Sequence, residues 1–324
     1  MKNSFNCYPS FIGFAMGDAL GVPVEFKSRS ELHRNPVTDL RGFGTHHQPP
    51  GTWSDDSSMT FCTAESICSG TELHRLANSF CLWKNHAHWT PHGTVFDIGI
   101  QTTKALDHLH LLVERKDYDA LNYLRSNEDE YTNGNGSLMR ILPFVFTTQH
   151  MEPSLQFEYL WKVSSLTHPH IRAAIACWFY VQCSQFLLQD LDKFEAFYKT
   201  QEALRVLLEV KGIVSRERAV FERILKKDFW QLKPNAIASS GYVIHTLEAS
   251  LWCLLTSTSY EEAVLKAINL GDDTDTTGAV TGGLAGLYFG IDTLPKSWLL
   301  QLARLDDIQN LCTNFNRMLQ SKFS

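Results

Sequence analysis

The chain has 324 residues, 44% of them hydrophobic and 12% aromatic, enough to bury a substantial core and too apolar for a disordered or fibrous chain. Its 29 Lys+Arg against 35 Asp+Glu leave a net charge of −6 with no basic block, which argues against general nucleic-acid binding. No stretch offers the roughly 20 uninterrupted apolar residues of a membrane span, so no membrane partner is expected either.

At the N-terminus Lys2 stands alone and Asp18 interrupts the apolar run, so no signal peptide is expected. The segment Gly13–Phe26 (GFAMGDALGVPVEF) reads as an apolar helix holding Asp18, with Glu25 just past Pro23. A carboxylate there is either exposed and structural or, in a cleft, a general base. A loop-rich stretch, Lys27–Trp53, leads into the acidic segment Gly51–Met59 and a helix over Thr60–Ile67. Apolar residues at three- and four-residue spacing then predict a helix over Leu73–His86. His86, His88 and His92 lack a Cys or acidic partner at ligand spacing and read as solvated. Asp97, before Ile98-Gly99-Ile100, has the form of a helix start.

The loop 127–136 carries Asn133-Gly-Asn-Gly-Ser137 ahead of Leu138, either a plain turn or a cradle of free N–H groups for a diphosphate. Further helices are predicted over Leu155–Leu166, Ile171–Leu188, Phe194–Val210, Arg216–Phe229, Tyr242–Leu255, Glu261–Leu270 and Trp298–Leu319. His168-Pro-His170 joins two of them, as a ligand contact or a simple junction. After position 277, glycines 278, 282, 286 and 290 recur every four residues. They form a bare helical stripe whose cost, about 1 kcal/mol per glycine, calls for very close approach of another helix or of the site itself. Alternating β patterns are almost absent, and neither a linker nor a repeat divides the chain. The expectation is an all-α protein, a single compact many-helix domain over 1–324, acting as a monomer. The eight cysteines contain no C-x-x-C and several lie in apolar helical patterns, so buried reduced thiols and a cytoplasmic location are expected.

Two acidic clusters stand at helix starts: Ser54-Asp55-Asp56-Ser57, and Asp272-Asp273-Thr274-Asp275-Thr276. One or two acids suffice to cap a helix. Three within four residues repel one another unless a cation neutralises them, and oxygen-only ligands suit Mg²⁺ or Mn²⁺. An EF-hand starting at Asp273 fails, because its twelfth position is Leu284 rather than Glu. Double capping and a two-metal site therefore both stand on residue chemistry alone. Neither a P-loop nor a G-x-S-x-G serine signature is present.

In order, GFAMGDALGVPVEF, WSDDSSM, FDIG, NGNGSLMR, THPH and GDDTDTTGAVTGGLAGLYFG resemble the motifs of the ADP-ribosylglycohydrolase family over residues 13–290. The resemblance implies an all-α fold with a central dinuclear cleft holding two Mg²⁺ or Mn²⁺ ions. It implies Ser54, Asp55, Asp56, Asp273, Asp275 and Thr276 as metal ligands, and Glu25 and Asp97 as catalytic acids. It further implies Gly134, Asn135, Gly136 and His168 as contacts to ADP-ribose. Three departures stand out: Ser54 and Ser57 where Thr is usual, Asp272 where Gly is common, and Ile100 where Asn often follows FDIG.

The implied activity is metal-dependent hydrolysis of ADP-ribosylated proteins, first of all at the N-glycosidic bond to arginine. Carboxylates would supply negative charge and proton transfer for an oxocarbenium-like transition state. Alternatives are O-linked substrates (serine, O-acetyl-ADP-ribose or nucleic acid), a metal-dependent phosphohydrolase, and a non-catalytic ADP-ribose reader or structural protein of the same fold.

Overall fold

The computed structural model describes residues 6–127, 129 and 132–323; Lys2 and part of the loop 127–136 lie outside the described residues. Its helices are α1 (Tyr8–Gly21), α2 (Arg29–Arg34), α3 (Asp55–Ser69), α4 (Leu73–His86), α5 (Ile100–Glu114), α6 (Phe144–Thr147), α7 (Pro153–Ser165) and α8 (Ile171–Leu188). They continue with α9 (Lys193–Val210), α10 (Ser215–Val220), α11 (Val243–Leu255), α12 (Tyr260–Ile268), α13 (Thr274–Phe289), α14 (Lys296–Gln301) and α15 (Leu305–Phe323). Among the described residues the only β feature is an isolated bridge between Gly134 and Tyr242, so the all-α expectation holds.

Helices α1 and α13 form the centre. They run antiparallel, because Pro9, Gly13, Gly17 and Gly21 of α1 meet Gly286, Gly282, Gly278 and Asp275 of α13 in that order. Their backbones touch: a Cβ on Gly17 would stand 2.1 Å from the Gly278 carbonyl oxygen, and one on Gly282 would stand 2.2 Å from that of Gly13. The glycine stripe thus serves helix approach, with one exception. Gly290 is the C-cap of α13, at φ 82°, where a Cβ would meet nothing within 4 Å. Around this pair α11 and α12 cover α13, and α3 and α15 cover α1. A continuous cluster of buried apolar residues joins them. Helix α8 is the one described helix long and apolar enough to cross a membrane, and most of it is buried in this core. All eight cysteines are free, as expected.

Several sequence expectations need correction. The helix expected over Arg216–Phe229 ends at Val220. Side chains of α9 claim the carbonyls that would have continued it: Gln201 donates to Ile224 and Lys226, and Arg205 to Leu225. The helix expected over Trp298–Leu319 is broken between α14 and α15. There Ala303 N–H donates to the Gly51 carbonyl, and Arg304, left-handed at φ 50°, donates to the Thr90 carbonyl. Asp97 does not cap α5; Gly99 holds that position, and Asp97 is itself left-handed at φ 47°. The turn read around Asn133–Ser137 runs into a 3-10 turn, Asn135–Arg140. The region read as a loop before Trp53 contains α2, closed by a capping box between Ser28 and Glu31.

Candidate metal-binding cleft

The antiparallel centre decides where the acidic residues meet. The C-terminal end of α1 lies beside the N-terminal end of α13, and the N-terminal end of α3 docks on the same spot. Asp18 makes that docking. It is fully buried on α1, and its carboxylate accepts the backbone N–H groups of Ser54 (2.9 Å) and Ser57 (3.0 Å) and the Ser57 hydroxyl (2.6 Å). Gly21, one turn on, lets the Asp275 backbone approach so closely that a Cβ would stand 2.3 Å from its Cα. The two clusters, more than 200 residues apart in sequence, come into contact where the Thr276 hydroxyl donates to Asp56 at 3.3 Å. Two helix N-termini then face one acidic pocket, a field that favours negative charge.

The pocket is dense in carboxylates. Asp18, Asp56 and Asp275 bring oxygens within 4.8 Å of one another, and so do Glu25, Asp273 and Asp275, with Asp275 common to both groups. Asp55 lies beside them, buried, and feels the charges of Asp97, Asp18, Glu25 and Asp273. Burial, reinforced by these neighbouring charges, pushes Asp55, Asp56 and Asp275 well above the ordinary carboxylate range. Burial also raises Asp273, against the Asn135 amide, and raises Asp18 to about 6 despite its three donors. Asp56 Oδ2 and Asp273 Oδ1 are buried without a hydrogen-bond partner. Orphaned carboxylate oxygens are costly unless something cationic completes them. The donor set, all oxygen, fits a hard divalent cation.

The other residues singled out from sequence fall at differing distances from this pocket. Ser54 caps α3, its hydroxyl accepting the Asp56 N–H. Glu25 is buried just past α1 and is raised to about 7, chiefly by burial, with Asp97 and Asp273 adding to the rise. Asp97 comes within 4.8 Å of Glu25 and His46 and is half-buried. Asn135 points at the acidic cluster: its amide donates to Asp273 Oδ2 (2.8 Å) and to the Thr246 hydroxyl (2.9 Å). Gly134 pairs with Tyr242, and a Cβ on Gly136 would stand 2.5 Å from His168 Cε1. His168 is thus buried directly under the glycine turn. Burial and the Arg140 charge lower its pKa to about 3, so it is a neutral ring at physiological pH. His170 instead caps α8, accepting the Arg172 N–H.

Two contributors went unassigned in the sequence reading. Asp18 carried a signal, a lone carboxylate inside an apolar helix, but not its partners. His46 carried none; it reaches Glu25 from a loop, with Nε2 2.5 Å from Oε2.

An all-helical fold with a buried carboxylate pocket able to hold a divalent cation defines the class. The family model described as ADP-ribosylglycohydrolase matches residues 7–323. The ADP-ribosylarginine hydrolase Tri1 of Serratia proteamaculans is 32% identical over 314 residues, covering 93% of this chain and 76% of that one. The ADP-ribosyl-[dinitrogen reductase] glycohydrolase of Rhodospirillum rubrum is 26% identical, covering 90% and 88%. A solved structure described as an ADP-ribosylglycohydrolase-related protein complex superposes with a TM-score of 0.76 at 27% identity, covering 98% of this chain and all of that one. The chain belongs to the ADP-ribosylglycohydrolase family, a family of ADP-ribosyl hydrolases.

Proposed function

We propose that this protein hydrolyses the N-glycosidic bond between ADP-ribose and arginine in modified proteins, with divalent cations held by the acidic pocket. The observation that carries the metal requirement is the pair of orphaned, buried oxygens on Asp56 and Asp273 within a carboxylate group that shares Asp275. The arginine linkage is supported by relatives named ADP-ribosylarginine hydrolase at 32% and 31% identity. Asp55, Asp56, Asp273 and Asp275, with the Ser54 and Thr276 hydroxyls, would hold two Mg²⁺ or Mn²⁺ ions. Bound there, such ions orient sugar hydroxyls and lower the pKa of a bound water.

The protein's own groups do the rest. Glu25, raised to about 7, is poised to hold or release a proton at neutral pH. Asp97, beside it and more open to solvent, offers a carboxylate for a charge-assisted bond to a guanidinium leaving group. Asn135 fixes Asp273, and the 3-10 turn with His168 beneath it forms the neighbouring wall for ADP-ribose.

The test is mass-spectrometric detection of free ADP-ribose from arginine- and serine-linked ADP-ribosyl peptides, with Mg²⁺ or with chelator. Metal-dependent release from the arginine linkage, lost in Asp56→Asn and Asp275→Asn, is expected. Release from the serine linkage alone would reassign the bond to the O-linked class. No release by a folded protein that binds ADP-ribose would make it a reader.

A further inference from the structure

The loop before α3 is clamped onto the turn that carries Glu25. Gly44 abuts that turn so tightly that a Cβ would stand 1.7 Å from the Pro23 carbonyl oxygen. Thr45 N–H donates to the same carbonyl at 3.0 Å, and the Thr45 hydroxyl donates to the Glu25 carbonyl at 2.8 Å. At the far side, Phe43 N–H closes the loop on the Gln48 carbonyl at 2.7 Å, and the Gln48 amide donates to the His46 carbonyl. Four ties and a glycine contact are more than a surface loop needs, and what they deliver is one side chain. His46 enters between the rings of Phe26 and Phe96, with centroids at 6.1 and 5.4 Å, and puts Nε2 on Glu25 Oε2. Both side chains are largely buried, at 16% and 7% exposure.

Glu25 has two sets of neighbours. It shares one group with His46 and Asp97, and another with Asp273 and Asp275. A carboxylate placed so could rotate between them, and an unfixed carboxylate in a reacting site costs rate through lost orientation.

We propose that His46 is a positioning residue for Glu25: its Nε2–H, delivered by the clamped loop and flanked by Phe26 and Phe96, holds Oε2 and leaves the other carboxylate oxygen to act in the cleft. This rests on the hydrolase reading, in which Glu25 manages the proton. The mutual effect on ionisation agrees with the contact, since Glu25 raises the pKa of His46 and His46 opposes the rise of Glu25. Gln can place an amide N–H near the position of Nε2, whereas Ala leaves Oε2 without its donor.

Two readouts decide it. The first is independent of turnover: in metal-free protein at pH 7, the His46 Nε2–H proton should resonate far downfield by NMR and move upfield in Glu25→Gln. An unchanged resonance in Glu25→Gln overturns the proposal whatever the enzyme cleaves. The second is kinetic, on the linkage the wild type cleaves: His46→Ala should lose about 100-fold in kcat with KM changed less than about twofold, and His46→Gln should recover about tenfold. Wild-type kcat in His46→Ala, or equal losses in Ala and Gln with a matching fall in Tm, overturns it. A wild type that cleaves nothing sinks the hydrolase reading instead, and the NMR comparison still decides whether His46 holds Glu25.

Discussion

Asn135 joins the glycine turn to an aspartate of the pocket, its amide donating to Asp273 Oδ2. Groups that orient a ligating carboxylate typically account for about 10–100-fold in metal affinity. Asn135→Ala is therefore expected to weaken Mn²⁺ binding by about tenfold or more, read by calorimetry, while the protein stays folded. Unchanged Mn²⁺ affinity would mean that the Asn135 hydrogen bond does not orient Asp273 for the metal. At this scale the sequence pointed to side chains that the fold brings together, but not to the contacts they make. Asn135 matched a substrate-contacting motif position, yet its side chain is spent on Asp273 and Thr246. His46 was illegible because its partner lies 21 residues away across an aperiodic loop. Hydrophobic spacing reports buried faces, and it says nothing about which polar tip meets which.

At the level of elements, the contact of α1 with α13 organises the site, because it sets Asp18 and Glu25 against Asp273 and Asp275. Two effects of a substitution at Gly17 oppose each other. Alanine would favour the helix by about 1 kcal/mol. Its Cβ, however, would meet the Gly278 carbonyl oxygen at 2.1 Å, which backbone on both sides prevents from yielding cheaply. Overpacking of this kind costs about 1–3 kcal/mol or more, so the clash wins. Gly17→Ala is expected to lower stability in urea unfolding by roughly 1 kcal/mol net or more and to weaken divalent-ion binding, since the helices must part where Asp275 is set. A gain in stability would mean the helices do not touch there. The four-residue glycine period made this approach legible, since a helix keeps such a costly stripe only for contact. The breaks after Val220 and before Leu305 were not legible. Apolar periodicity continues through both, and only side chains and carbonyls distant in sequence (Gln201, Arg205, Gly51, Thr90) reveal that the backbone turns.

Across the whole molecule, net charge is modestly negative, but its distribution is what bears on stability. Six carboxylates lie together, Asp18, Glu25, Asp55, Asp56 and Asp275 buried and Asp273 half-buried, with the His46 imidazole against Glu25. All have folded-state pKa values above the usual carboxylate range of about 4, with Asp18 at about 6 and Glu25 at about 7. Between pH 4 and 7 the unfolded chain has therefore lost protons that the metal-free folded chain retains. Stability from these groups is fully present below pH 4 and falls as pH rises, by about 1.4 kcal/mol per pH unit for each proton retained. His168 works in the opposite direction: lowered to about 3, it disfavours the folded state in acid and ceases to matter above the ordinary histidine range. A raw Tm profile mixes the two. The difference between metal-loaded and chelated protein does not, because His168 contributes equally to both. A divalent cation must displace the retained protons from the carboxylates, so its stabilisation is opposed at low pH and released as pH rises. The increment in Tm on adding Mg²⁺ to chelated protein is thus expected to grow steadily from pH 5 to pH 8. An increment independent of pH over that window would mean that the buried carboxylates are already ionised without metal, and no increment at any pH would mean that the pocket does not hold the cation.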